Sequence, residues 1–146
     1  MALGAKRGAT LTHGWNPEGG FLPYRWQGYD EGLLLYMLAL GSPTYPLAGN
    51  GFAAWCSTYE WKSQYGYDYL YAGSFFTHQL SHLWIDFRGI RDSFMRDKGI
   101  DYFENTRRAT HVQRQYAIDN PLKFKGYGPV AGGSQRVMVP GPIPSR

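Results

Sequence analysis

The stretch GWNPEGGFLPYRWQGYDEGLLLYMLALGSP, residues 14–43, decides the reading of this 146-residue chain. It opens as a loop crowded with Trp, Tyr, Arg and Gly and punctuated by Pro17, Gly19-Gly20 and Pro23. It then passes through two adjacent carboxylates, Asp30 and Glu31, into Leu33, Leu34, Leu35, Tyr36, Met37, Leu38 and Leu40, a run with no polar face. That run predicts a helix over residues 29–40, buried on every side. Gly41 stands as the residue past its C-terminus, with Pro43 just beyond. Aromatic plates suit the flat, weakly apolar faces of sugar rings, and Arg and carboxylate supply charge-assisted hydrogen bonds to hydroxyls. A carboxylate among them is the group type that glycosidic-bond hydrolysis requires.

Outward from this stretch, residues 1–28 read as loop. A second helix is expected over residues 51–63, where Phe52, Trp55, Cys56 and Tyr59 form one apolar stripe at i, i+3, i+4 and i+7. Cys56 lies in that stripe, which makes it a core residue rather than a nucleophile. Residues 65–76 read as a Gly/Tyr loop. A third helix begins near Thr77, whose hydroxyl suits an N-cap, and reaches residue 84 or 85. Residues 90–96 suggest a short helix closed by Gly99. Asp101 is placed to cap a last long helix to about residue 118, with Tyr102, Ala109, Val112 and Tyr116 on one face and Asn120-Pro121 ending it. No stretch alternates with period two, and no repeat recurs at solenoid spacing. The expected class is all-α with long loops. A helix apolar all round needs neighbours on every side, which suggests further elements outside this chain.

Composition bounds the function. Aromatic residues make up 17% of the chain, more than a core of this size uses, and surplus Tyr and Trp gather in clefts or interfaces. Charged residues are 18%, so this is not a disordered polar chain. The net charge is +4, but the basic residues are scattered, the longest clusters being Lys6-Arg7 and Arg107-Arg108. No stripe of phosphate contacts is visible, so no nucleic-acid partner is expected. Lys125-Gly126-Tyr127-Gly128 superficially matches an RNA-binding strand motif, but Pro129 could not donate to such a sheet. Cys56 is the only cysteine, which excludes an intrachain disulfide and a Cys-based metal site. The first ten residues lack the apolar segment of a signal peptide, and the run over residues 33–40 is too short to span a bilayer. No membrane partner, cofactor or metal is expected.

Glu31 is the leading candidate for chemistry, beside Tyr29, Trp26 and Arg25. Its bland alternative is an acid complementing the helix dipole. The dipole lowers a carboxyl pKa, whereas a general acid needs the upward shift that burial supplies. Asp30 reads as the plain N-cap. Consecutive helical residues diverge by about 100°, so the two acids do not form a working pair across a sugar, and a second acid must come from elsewhere. Asp86 could supply it; alternatively it pairs with Arg88 or caps the next helix. His78 and His82 have the spacing of two metal ligands, but no Glu follows His78 and no third ligand is obvious, so a polar cleft face is the better reading. His13 and His111 are uninformative.

With these residues laid out, the chain resembles the bacterial glucoamylase-like (Glycoamylase) domain family. The matching segments are His13-Gly14-Trp15, GGFLPYRW at 19–26, GY-x-E at 28–31, LLLYMLALGSPTYPL at 33–47, LYAGSFFTHQLSHLWIDFRGIRDSF at 70–94, and IDYFENTRRAT through QRQYAIDNP to KGYG over 100–128. The resemblance implies a fragment of an (α/α)6 toroid with a sugar cleft, relatives among β-1,2-glucan hydrolases and cyclic β-1,2-glucan synthases, and an oligo- or polysaccharide partner. It places the family's motif glutamate on Glu31, assigned as general acid. Trp15, Tyr24, Arg25, Trp26 and Tyr29 would hold sugar, and His78, Asp86 and Arg88 would line the cleft. The alternative is an inactive carbohydrate-binding remnant or a nonfunctional fragment.

The expected organisation is a stub over residues 1–8, the family domain over 9–128 and a non-family, disordered tail over 129–146. A toroid is far longer than this chain, so the remaining helices are expected elsewhere. Codons for Val130–Gly141 can be chosen so that the frame beginning at the third base of the Val130 codon reads Cys-Trp-Gly-Leu-Thr-Ala-Ser-Asp-Gly-Pro-Gly, the family's continuation. The tail therefore reads as a frameshift near residue 129.

Overall fold

A β-ladder stands where the first loop was expected. The computed structural model describes residues 10–47 and 50–129, in two units divided between Glu60 and Trp61. In the first unit, β1 (Trp15–Asn16) pairs antiparallel with β2 (Gly20–Phe21), and Thr12 bridges Arg25 further down. The ladder extends through Leu22 N–H to Gly14 O at 2.9 Å, His13 N–H to Tyr24 O at 3.0 Å and Trp26 N–H to Leu11 O at 3.0 Å. Trp15 faces Phe21, but Thr12 faces Arg25, one residue out of step. Pro23, with no N–H to give the ladder, takes the extra place as a bulge.

Helix α1 (Gly32–Leu40) follows, starting three residues later than expected. Leu33 and Tyr36 are fully buried, but Leu35 and Leu38 are exposed at 44% and 62%, so the helix is not covered on every side. Gly41 ends it at φ −82°, without the left-handed turn expected of a glycine past a helix end. Helix α2 (Asn50–Cys56) is half the expected length. The Ser57 and Thr58 hydroxyls donate to the carbonyls of Ala54 and Trp55 at 2.7 Å, drawing the backbone out of helix. The core of this unit is aromatic. Tyr36 stacks on Trp55 at 4.4 Å, Tyr29 meets Tyr59 edge-on at 5.7 Å, and Cys56 is buried, as the stripe implied.

The second unit begins with a hairpin that overturns the all-α expectation. Strands β3 (Trp61–Gln64) and β4 (Tyr67–Leu70) pair antiparallel around a two-residue turn, Tyr65 at φ 50° and Gly66 at φ 79°. Among the described residues helix is 41% and strand 13%, with two small antiparallel sheets, so this fold is mixed α and β and not an all-α toroid. The hairpin forms here because Tyr69 and Leu70 bury against helix α5 (Tyr102–Asp119), where Ala109 and Val112 receive the Tyr69 ring. Asn105, fully buried on α5, closes the end of β4 by bonding both backbone groups of Leu70.

Between hairpin and α5 lie α3 (Phe75–Leu80), a 3-10 turn (Ser81–Leu83) and α4 (Ser93–Asp97). Ser74, not Thr77, precedes α3, and Thr77 is buried within it. Asp92 caps α4, accepting the Met95 N–H at 2.7 Å. Gly99 at φ 71° follows the end of α4, as expected. Asp101 caps α5 as expected, its Oδ1 accepting the Glu104 N–H at 2.7 Å while Oδ2 accepts the Gly89 N–H at 2.8 Å. Tyr102, Ala109, Val112 and Tyr116 are its buried face, and Asn120 ends it in a left-handed conformation. From Val130 on, the expected tail lies outside the described residues. No described helix is long and apolar enough to cross a membrane.

Candidate functional site

The first unit gathers six aromatic or charged candidates along its ladder and at the mouth of α1. The bulge leaves Trp15 and Tyr24 on the surface, 56% and 69% exposed, as faces a flat ring can lie on. Arg25 is turned inward and donates to the Thr10 carbonyl. Trp26 stacks on His13 at 4.2 Å, and its buried Nε1–H meets no hydrogen-bond partner among the described residues. Tyr29 is 4% exposed and belongs to the aromatic core.

Glu31 sits at the N-cap of α1 with αR backbone angles, half-buried, and makes no side-chain cap. Asp30 does the local bonding instead, accepting the Gly32 N–H on Oδ1 at 2.9 Å. Burial pushes the Asp30 carboxyl up to about 7, against the lowering effect of the Gly32 hydrogen bond and with a further push from Glu31. The buried Tyr36 phenol, which accepts the Leu11 N–H at 3.0 Å, is raised as well, chiefly by burial. Asp30 adds to that rise and Arg25 opposes it, so the carboxyl, the phenol and the guanidinium share one electrostatic neighbourhood. A carboxylic acid protonated near neutrality can donate a proton. Sequence reasoning passed over Asp30 as a cap; the available signal was Gly32, whose missing Cβ leaves its place to the carboxylate.

The second unit holds His78, Asp86 and Arg88. His78 is fully buried and tilted against Tyr69 at 6.1 Å. Burial drives its imidazole down to about 3, His82 acting in the same direction and a hydrogen bond with the Ala72 backbone opposing. It is therefore neutral and enclosed. Asp86 and Arg88 form an exposed pair with Arg88 Nη2 2.7 Å from Oδ2, the bland alternative raised for Asp86. Helix α3 stops at Leu80, so His78 and His82 do not share one α-helical face. Thr106 joins them instead: its hydroxyl lies 2.9 Å from both His78 O and His82 Nε2. Among the described residues no group of three possible ligands could hold a metal.

The chain is 23% identical over 135 residues to an exo β-1,2-glucooligosaccharide sophorohydrolase (non-reducing end) of Parabacteroides distasonis, over 78% of this chain and 19% of that protein. It also matches the crystal structure of a "putative glucoamylase" from Bacteroides uniformis at 27% identity and a TM-score of 0.71, over 82% of this chain and 31% of that one. The chain thus spans less than a third of the length of either relative. The model of the Glycoamylase family, described as "Putative glucoamylase", matches residues 23–135, most of the sequence, and the chain belongs to that family.

Proposed function

We propose that this chain carries a saccharide-holding part of a glycoside hydrolase, acting on a β-linked gluco-oligosaccharide of the 1,2 type. Membership of the family supports a carbohydrate-active role; the 1,2 linkage rests on the sophorohydrolase relative. The observation that carries the chemistry is the pair of carboxyls at the mouth of α1, one of them held protonated up to about pH 7, beside a ladder that exposes Trp15 and Tyr24. Glu31, at the motif position, is the proposed general acid toward the leaving glycosidic oxygen. Trp15, Tyr24 and Trp26 hold sugar rings, and Arg25 and Tyr29 fix the backbone on which they stand. Within the second unit, the exposed Asp86 and Arg88 and the buried His78 are proposed cleft residues in their own right.

One observation favours a second assignment. The raised carboxyl is Asp30, which makes it the group with the proton to give at neutral pH. Incubation with a β-1,2-linked gluco-oligosaccharide, with the released sugars separated by chromatography, tests both. Glu31→Gln is expected to keep sugar binding and lose turnover by about 10²–10⁴-fold, the ordinary worth of general acid catalysis. If Asp30→Asn shows that loss and Glu31→Gln does not, the acid is Asp30. Binding with no cleavage by the parent chain would leave a carbohydrate-binding module.

A further inference from the structure

In the second unit, the outward side of α5 and the facing side of α3 with its 3-10 turn border an open cavity of about 620 Å³. Phe76 and Phe103 stand in its walls, 41% and 45% exposed, each offering a ring to solvent. Gln79, His82, Thr106, Arg107, Thr110 and His111 supply the polar groups, and Leu80 and Leu83 add apolar surface. The Arg107 charge is already answered: Nε meets Glu104 Oε2 at 2.7 Å and Nη2 meets Oε1 at 2.9 Å. An anion would have to compete with Glu104 for that guanidinium.

His82 is neutral as well, since burial lowers its pKa more than Asp101 and Asp86 raise it. Its tautomer follows from the Thr106 hydroxyl. That group has one hydrogen, and the His78 carbonyl can only accept, so the hydrogen goes to His78 O. His82 Nε2 must then be the donor to Thr106, which leaves Nδ1 as the ring's acceptor.

A pocket with two aromatic rings, flanking leucines, a carboxamide, threonine hydroxyls, an imidazole acceptor and an arginine already paired with Glu104 matches a neutral polyhydroxylated ligand with apolar ring faces. We propose that it binds a segment of a gluco-oligosaccharide, with Phe76 and Phe103 as platforms and Gln79 and His82 taking hydroxyls. This rests on the carbohydrate reading above and adds a binding site on α3 and α5 to it.

The test is a titration of the 146-residue chain with a β-1,2-linked gluco-oligosaccharide, following the His82 ring signals and the Trp15 and Trp26 indole signals by NMR. Saturable movement of the His82 signals is expected, with Phe103→Ala and Phe76→Ala each weakening the midpoint by about tenfold. Both rings are exposed, and circular dichroism checks that each variant keeps its fold. If the indoles move and His82 does not, this pocket is not a sugar site while the proposed function stands. If neither moves, both readings fall. Movement unchanged in both Phe variants, or reproduced by inorganic phosphate, overturns the pocket. So does movement on diluting the protein without sugar, which would make a second copy of the chain the occupant.

Discussion

The Asn105 carboxamide grips both backbone groups of Leu70: Oδ1 accepts the Leu70 N–H at 2.7 Å and Nδ2 donates to the Leu70 carbonyl at 3.4 Å. Both residues are fully buried, so a helix side chain replaces the next strand that β4 lacks. Asn105→Ala leaves a buried N–H unpaired and is expected to cost about 1–3 kcal/mol. Urea unfolding measures this. A midpoint unchanged from the parent would mean that water satisfies the end of β4.

Gly32 is required by its neighbours, not by its backbone. A Cβ there would lie 2.7 Å from Asp30 Oδ1 and 3.3 Å from Trp26 Cδ2. Alanine is the better helix former by about 1 kcal/mol, yet crowding of this kind costs about 1–3 kcal/mol. Gly32→Ala is therefore expected to lower the melting temperature and to disturb the titration of Asp30. A raised melting temperature would show that the Asp30 carboxylate swings aside freely.

The two buried titrating groups act oppositely on stability. His78 is held neutral down to about pH 3, below its ordinary 6.5, so the unfolded chain takes up its proton first. That contribution is complete above pH 6.5 and is lost as the pH falls toward about 3. Asp30, raised from 3.8 to about 7, binds its proton more tightly when folded, so its contribution is complete below pH 3.8 and is lost as the pH rises toward about 7. Asp30→Asn is expected to steepen the acid loss of stability, and His78→Gln to flatten it. Urea midpoints collected between about pH 4 and about pH 8 check both slopes. Parallel profiles for parent and variants would exclude these groups as the cause.

Turnover offers a separate measure of the carboxyl pair. With Glu31 as the acid, Asp30→Asn is expected to shift the alkaline limb of the pH–rate profile while leaving the maximal rate within about tenfold, and Glu31→Gln to lower the rate at every pH. A profile indifferent to both substitutions would assign the chemistry to residues outside the pair.

Much of the second half of this fold was legible in the sequence because its signals are local. Asp101, Gly99 and Asn120 each mark a helix end by residue type, and the apolar face of α5 recurs at the helical period. The hairpins were not legible. The turn at Tyr65-Gly66 lacks the Asn or Asp that marks such turns; Tyr65 accepts a left-handed backbone and packs its ring against Tyr116. The strands do not alternate, since β4 ends in two consecutive buried residues held by α5. In the ladder, Pro23 spoils the period by occupying a bulge. The candidate site divides the same way. Residue types located the aromatic loop and its carboxyls, but the burial that raises Asp30 and encloses Tyr29 and His78 is tertiary and has no local signature.

Asp101 spends its two oxygens on two different chain segments, the start of α5 and the Gly89 turn. When Asp101 itself swings away, both amides lose their acceptor at once. In hydrogen exchange the Gly89 and Glu104 amides should therefore lose protection together, and the segment between them should behave as one closed loop, clasped at the start of α5, that opens only with the first turn of that helix.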